Sequence, residues 1–159
     1  MALTNLELED KMKKTFLKNK FLGVFSKDEL PECKEGHCMI CNIQDSVNSN
    51  GQPLPGTHWI AAGRKGEPWC VDSFGLAPPK DVVASIGKYV AYNTRQVQDP
   101  KSDLCGYYAM AACCEIMASN HDPTETIREF IDQFDEAPLI KNDAILKNVL
   151  SKYKISMNK

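Results

Sequence analysis

The chain has 159 residues, 43% of them hydrophobic and 25% charged, with a formal net charge of −2. That length supplies one core and is short for two, so a single domain over residues 1–159 is expected, and the near-neutral balance exerts no global pull toward nucleic acid. No apolar run approaches the ~18 residues a bilayer crossing needs, and the N-terminus lacks the order of a secretory signal, so a non-secreted protein without a membrane partner is expected. Seven cysteines, an odd number in such a chain, argue for reduced thiols rather than a disulfide framework.

Taken in order, residues 4–18 alternate apolar and charged positions at helical spacing, with Thr4 or Asn5 available as N-cap and Glu7 close behind. Lys11, Lys13, Lys14, Lys18 and Lys20 give this segment a basic face, read as solvated surface. The stretch FLGVFSKDELP is too apolar for a linker, and Gly23 and Pro31 interrupt it, so it reads as packed but irregular. CMICNI, from Cys38, suits a buried strand, and the turn-rich segment 45–56 a surface loop. THWIAA and PWCVDSF read as strands of a hairpin joined through Gly63, Arg64, Lys65 and Gly66. A short helix is expected at 79–86 with proline in its first turn, and a third strand at 89–97, with Gln98 at its exit. CGYYAMAACCEIMAS contains one charge, Glu115, and predicts a helix buried on most sides. Amphipathic helices at 124–134 and 143–153 complete the chain. The fold class is therefore α+β, a small, mainly antiparallel sheet against a central helix.

The chemistry centres on Cys105. A free thiol has a pKa of about 8.5 and needs a helix N-terminus or a cationic imidazole to ionise near neutrality. Capped by Ser102 or Asp103, the central helix holds Cys105 in its first turn, and Gly106 leaves room for a substrate backbone. Of the three histidines, His58 is the one set in a strand, across the hairpin from Asp72, which is placed to fix its tautomer. The Gln98 amide and the Cys105 N–H offer two oxyanion donors. Blander roles compete: a buried core thiol for Cys105, a satisfied strand histidine for His58, a turn-capping carboxylate for Asp72. Trp59 reads as packing, as do Cys113 and Cys114, and His121 as a cap for the central helix's C-terminus. Cys33, His37, Cys38 and Cys41 are zinc-ligand types, but their spacing fits no common zinc pattern. No metal or other cofactor is expected.

GTHWIAA, VDSFG and QDPKSDLCG follow in the order His, Asp, Gln, Cys, the glutamine seven residues before the cysteine. This resembles the adenovirus protease (adenain) family and its Ulp-type relatives, with His58, Asp72, Gln98 and Cys105 on the catalytic motifs. FLGVFSKDELP and the HDPT at 121–124 also resemble segments of the viral enzymes. The resemblance implies a papain-like cysteine endopeptidase that cleaves viral capsid or core precursors at small-residue, glycine-containing sites, in the virion and the infected cell. It also implies two alternatives, a Ulp-type isopeptidase removing ubiquitin-like modifiers and a non-catalytic protease-like binding module. Asp72 departs toward the cellular enzymes, since adenovirus enzymes carry Glu there. The family's activating peptide, tethered through a cysteine, and its activating DNA are not carried over: no cysteine lies between Cys70 and Cys105, and the charge is slightly negative.

Overall fold

The computed structural model describes residues 2–43, 49–52 and 58–157. Among the described residues, twelve regular elements give an α+β fold: α1 (Asn5–Lys13), β1 (Phe21–Ser26), a 3-10 turn (Lys27–Glu29), β2 (Cys38–Asn42), β3 (Trp59–Lys65), β4 (Glu67–Val71), α2 (Lys80–Ile86), β5 (Ala91–Tyr92), α3 (Cys105–Ala118), α4 (Pro123–Asp132), a second 3-10 turn (Leu139–Lys141) and α5 (Asn142–Ser151). Of the loop expected at 45–56, only residues 49–52 are described, and the strand start expected at Thr57 lies outside the described residues.

The five strands form one sheet in sequence order. It is mixed rather than mainly antiparallel: β2–β3 and β3–β4 run antiparallel, whereas the outer pairs β1–β2 and β4–β5 run parallel. The reason lies in the connections, since α2 between β4 and β5 is a crossover that returns the chain in its original direction. The irregular segment expected at FLGVFS is the edge strand β1. Gly23, at φ 136°, sits where the β1–β2 register shifts between Phe21 and Val24, so the glycine absorbs an irregularity within the strand instead of ending it. The Val24 N–H donates to the Glu9 carboxylate of α1 (3.1 Å). The β3–β4 hairpin is tighter than expected, because the strands continue through Gly63–Lys65 and the turn falls on Gly66 alone, at φ 75°. The third expected strand shortens to Ala91–Tyr92, leaving Gln98 at a bend of the following loop rather than at a strand exit.

Strand alternation divides the core. Cys38, Ile40, Trp59, Ala61, Trp69 and Val71 face the layer of α1, α3, α4 and α5, while Met39, Cys41, Ile60, Ala62 and Cys70 face Val82 and Ile86 of α2. Helix α3 runs through the larger core, and ten of its fourteen residues are buried. No side chain caps its N-terminus. A lost cap costs ~1 kcal/mol, whereas each large apolar side chain buried contributes roughly 1.5–3 kcal/mol, so burial holds this helix. Its C-terminal carbonyls are met by Lys65, not His121: the ammonium donates to Ile116 O (2.8 Å), to Ser119 O and to His121 O (3.4 Å). The His121 ring turns outward instead to Glu129 (2.6 Å).

Helix α1 opens with a capping box between Thr4 and Glu7 and buries Leu8 and Met12. Its basic face is broken up by i,i+4 pairs, Lys13 with Glu9 (3.9 Å) and Lys14 with Asp10 (3.0 Å). No described helix is long and apolar enough to cross a membrane.

Candidate active site

His58 precedes β3 and Asp72 follows β4, so the hairpin register delivers the two side chains to one end of the sheet. The His58 Nε2–H donates to Asp72 Oδ1 at 2.7 Å, with both residues buried. Asp72 combines the two roles open to it, because Oδ1 also accepts from the Phe74 N–H (2.8 Å) in a side-chain turn, and its carbonyl accepts from the Gly75 N–H (2.8 Å). Asn93 locks its backbone from the other side, donating to Asp72 O (2.7 Å) and accepting from Asp72 N–H (3.1 Å). The wall of the imidazole is Phe74, stacked at 4.5 Å and 18°; Trp59 packs in the main core.

The second ring nitrogen, Nδ1, is buried and has no hydrogen-bond partner. Burial would lower the His58 pKa, but the hydrogen bond to Asp72 and then the Cys105 side chain overcome it and raise the group to about 9. The Cys105 sulfur is thus within electrostatic reach of the ring.

Cys105 is the first residue of α3, and it alone of the seven thiols is not buried. Burial pushes Cys33 up to about 11 and Cys114 up to about 12, and Cys41, Cys70 and Cys113 upward too, which suppresses their thiolates. Neither Ser102 nor Asp103 caps α3: the Ser102 hydroxyl accepts from Leu104 N–H (3.3 Å) and donates to Asp143 Oδ1 (3.3 Å). Gly106 does not leave room for a substrate, since a Cβ there would meet Leu8 Cδ2 at 3.0 Å; its smallness serves the packing of α1 on α3.

Gln98 is fully buried, and its amide is held at both ends. Oε1 accepts from the Ser73 hydroxyl, and Nε2 donates to Ser102 O (2.9 Å). The Ser102 carbonyl can only accept, which fixes the NH2 end on the side of the loop leading into Cys105. One N–H of that amide remains beyond this bond. Ser73 and Phe74 were available inside the VDSFG motif but carried no independent signal, and Asn93 carried none.

Cys38 and Cys41 point to opposite faces of β2, so Cys33, His37, Cys38 and Cys41 do not converge on a metal. Among the described residues, His121, Glu125 and Glu129 place ligand atoms within 4.8 Å of one another, all exposed. The His121–Glu129 contact accounts for that group as a surface ion pair. A groove of about 780 Å³ opens beside Trp59, between the Leu3–Asn5 segment, the end of β1 and Asn42.

No protein-family model matches the chain, and no curated protein matches it.

Proposed function

We propose that the protein is a cysteine hydrolase of peptide bonds, with Cys105 as nucleophile, His58 as its acid and base, Asp72 as orienter and Gln98 as oxyanion donor. The observation that carries this reading is the His58 ring, bound through Nε2 to a buried carboxylate while its buried Nδ1 is unfilled and the least buried thiol lies near it. An imidazole placed so has a fixed tautomer and a stabilised cation, the two properties a thiolate partner requires. The Cys105 sulfur adds to the scissile carbonyl, His58 hands its proton to the leaving amine, and the acyl-enzyme is released by water that His58 deprotonates. The N-terminal N–H groups of α3, with no side-chain cap, and the Gln98 amide are the donors offered to the oxyanion.

The sequence resemblance makes viral capsid or core precursors the proposed substrates. The test is intact-mass analysis after reaction with chloroacetamide from pH 5 to 8. Rapid single labelling, lost in both Cys105→Ala and His58→Ala, is expected; slow labelling spread over several thiols refutes the reading. Cleavage of a capsid-precursor peptide set against a ubiquitin-like-modifier fusion then separates the endopeptidase from the isopeptidase.

A further inference from the structure

The loop from Val97 to Leu104 carries Gln98 into the start of α3, and its own hydrogen bonds are few. Val97 N–H and Gln98 N–H both donate to Ser73 O (2.9 and 3.1 Å), and Ser102 N–H closes a turn on Asp99 O (2.9 Å). Gln96 Nε2 donates to Gln98 O (2.8 Å), the Ser73 hydroxyl to Gln98 Oε1 and Lys101 N–H to Asp99 Oδ1 (2.8 Å), and further restraint comes from a distant part of the chain, the first turn of α5. Asn142 is fully buried, and its Nδ2 donates to Val97 O (2.8 Å) and to Asp135 O (2.9 Å) while its Oδ1 accepts from Asp135 N–H (2.8 Å). Asp143 Oδ1 accepts from the Ser102 hydroxyl (3.3 Å) and from the Tyr108 hydroxyl (2.9 Å), the latter on α3 one turn after Cys105. Burial, and then Asp143, raise the Tyr108 pKa, so its phenol stays a donor in this bond.

Two consecutive residues of α5 thus grip the loop on either side of Gln98, one at the residue before it and one at the residue whose carbonyl holds its amide. We propose that Asn142 and Asp143 are positioning residues of the oxyanion hole, making the C-terminal helix part of the catalytic apparatus. The inference rests on the cysteine-hydrolase reading above. An oxyanion donor misplaced by about 1 Å forfeits much of its effect, and Gln98 has no other anchor on that side than Ser102 O. Asp143 touches neither Cys105 nor His58 in any hydrogen bond, so its removal should leave the thiol and imidazole as they are.

Two small reagents separate these functions. Chloroacetamide is attacked by the thiolate at a saturated carbon with loss of chloride, and no oxyanion forms. With p-nitrophenyl acetate the thiolate adds to the carbonyl, an oxyanion forms, and its collapse expels p-nitrophenolate and leaves acetyl-Cys105. In Asp143→Ala, alkylation is expected to keep its wild-type rate and pH profile while acylation falls about tenfold, below the ~100-fold that outright loss of a donor costs. Asp143→Asn, which retains an acceptor oxygen, should recover most of the acylation rate. Should Asp143→Ala lose its thermal transition, Ser102→Ala removes the loop contact from the other side, together with the acceptor of the Leu104 N–H, while Tyr108 keeps its bond to Asp143, and the same selective loss of acylation is expected. Equal effects on both reagents, or none on acylation, overturn the inference alone. Wild-type protein that does not alkylate selectively at Cys105 overturns the hydrolase reading, and the inference with it.

Discussion

Asp72→Asn tests the electrostatic centre of the site through stability alone, without a substrate. The His58 pKa rises from 6.5 to about 9 on folding. At ~1.36 kcal/mol per unit, the charged ring is favoured in the native state by about 3 kcal/mol. The pair is only 8% and 5% exposed at its side chains, so solvent screening removes little of this. Because the folded pKa lies above the unfolded one, the contribution is fully present below pH 6.5 and is lost as pH rises through about 9. Asparagine keeps the size of the side chain and an acceptor for Phe74 N–H but removes the charge that supports the imidazolium. Urea denaturation should therefore find Asp72→Asn destabilised by about 2–3 kcal/mol at pH 6 and nearly equal to wild type at pH 10. The raised thiols titrate with the same sign; those the Asp72 charge does not reach, such as Cys33 near 11, cancel in the difference, whereas Cys70, which burial and then neighbouring charges including Asp72 push upward, adds to it in the same direction. A difference that is constant with pH, or absent, refutes the assignment, and a carbon-13 titration of the His58 ring gives the same answer directly.

Other outcomes follow from the packing. Lys65→Met should destabilise the protein by about 1–2 kcal/mol, read by denaturant midpoint at unchanged slope, because it strips a shared donor from three carbonyls around the end of α3. Gly63→Ala should cost about 1–3 kcal/mol or more in thermal denaturation: its Cβ would stand 2.6 Å from His37 O and 2.9 Å from the Trp69 ring, neither of which can yield.

The placement of the candidate side chains was more legible in the sequence than the sheet that presents them. His58 and Asp72 could be paired because a hairpin converts sequence spacing into cross-strand proximity, and the β3–β4 register does so. Cys105 could be placed because a nearly uncharged, alanine-rich run after a turn has few conformations other than a buried helix. Strand direction was less legible, although the helix expected at 79–86 already implied a crossover and hence a parallel β4–β5 pair. Gly23 misled because a glycine that ends a strand and one that bulges it look alike until the partner strand is known. The contributions of Asn93, Asn142 and Lys65 were not legible at all. Each acts by donating to backbone carbonyls far away in sequence, and a carbonyl has no signature in an amino-acid string.

The contact between Glu9 and the Val24 N–H bears on how the molecule behaves in crowded solution. A sheet whose outer strand leaves its amides open is a template on which a second chain can add a strand, and the growth can repeat. Here the β1 margin has one amide stoppered by a carboxylate from α1, and the opposite margin, β5, runs for two residues only. A charge in the path of an incoming strand and a ledge too short to seat one are both deterrents to lateral stacking, so the fold guards against self-association at the two places where a sheet is most inclined to it.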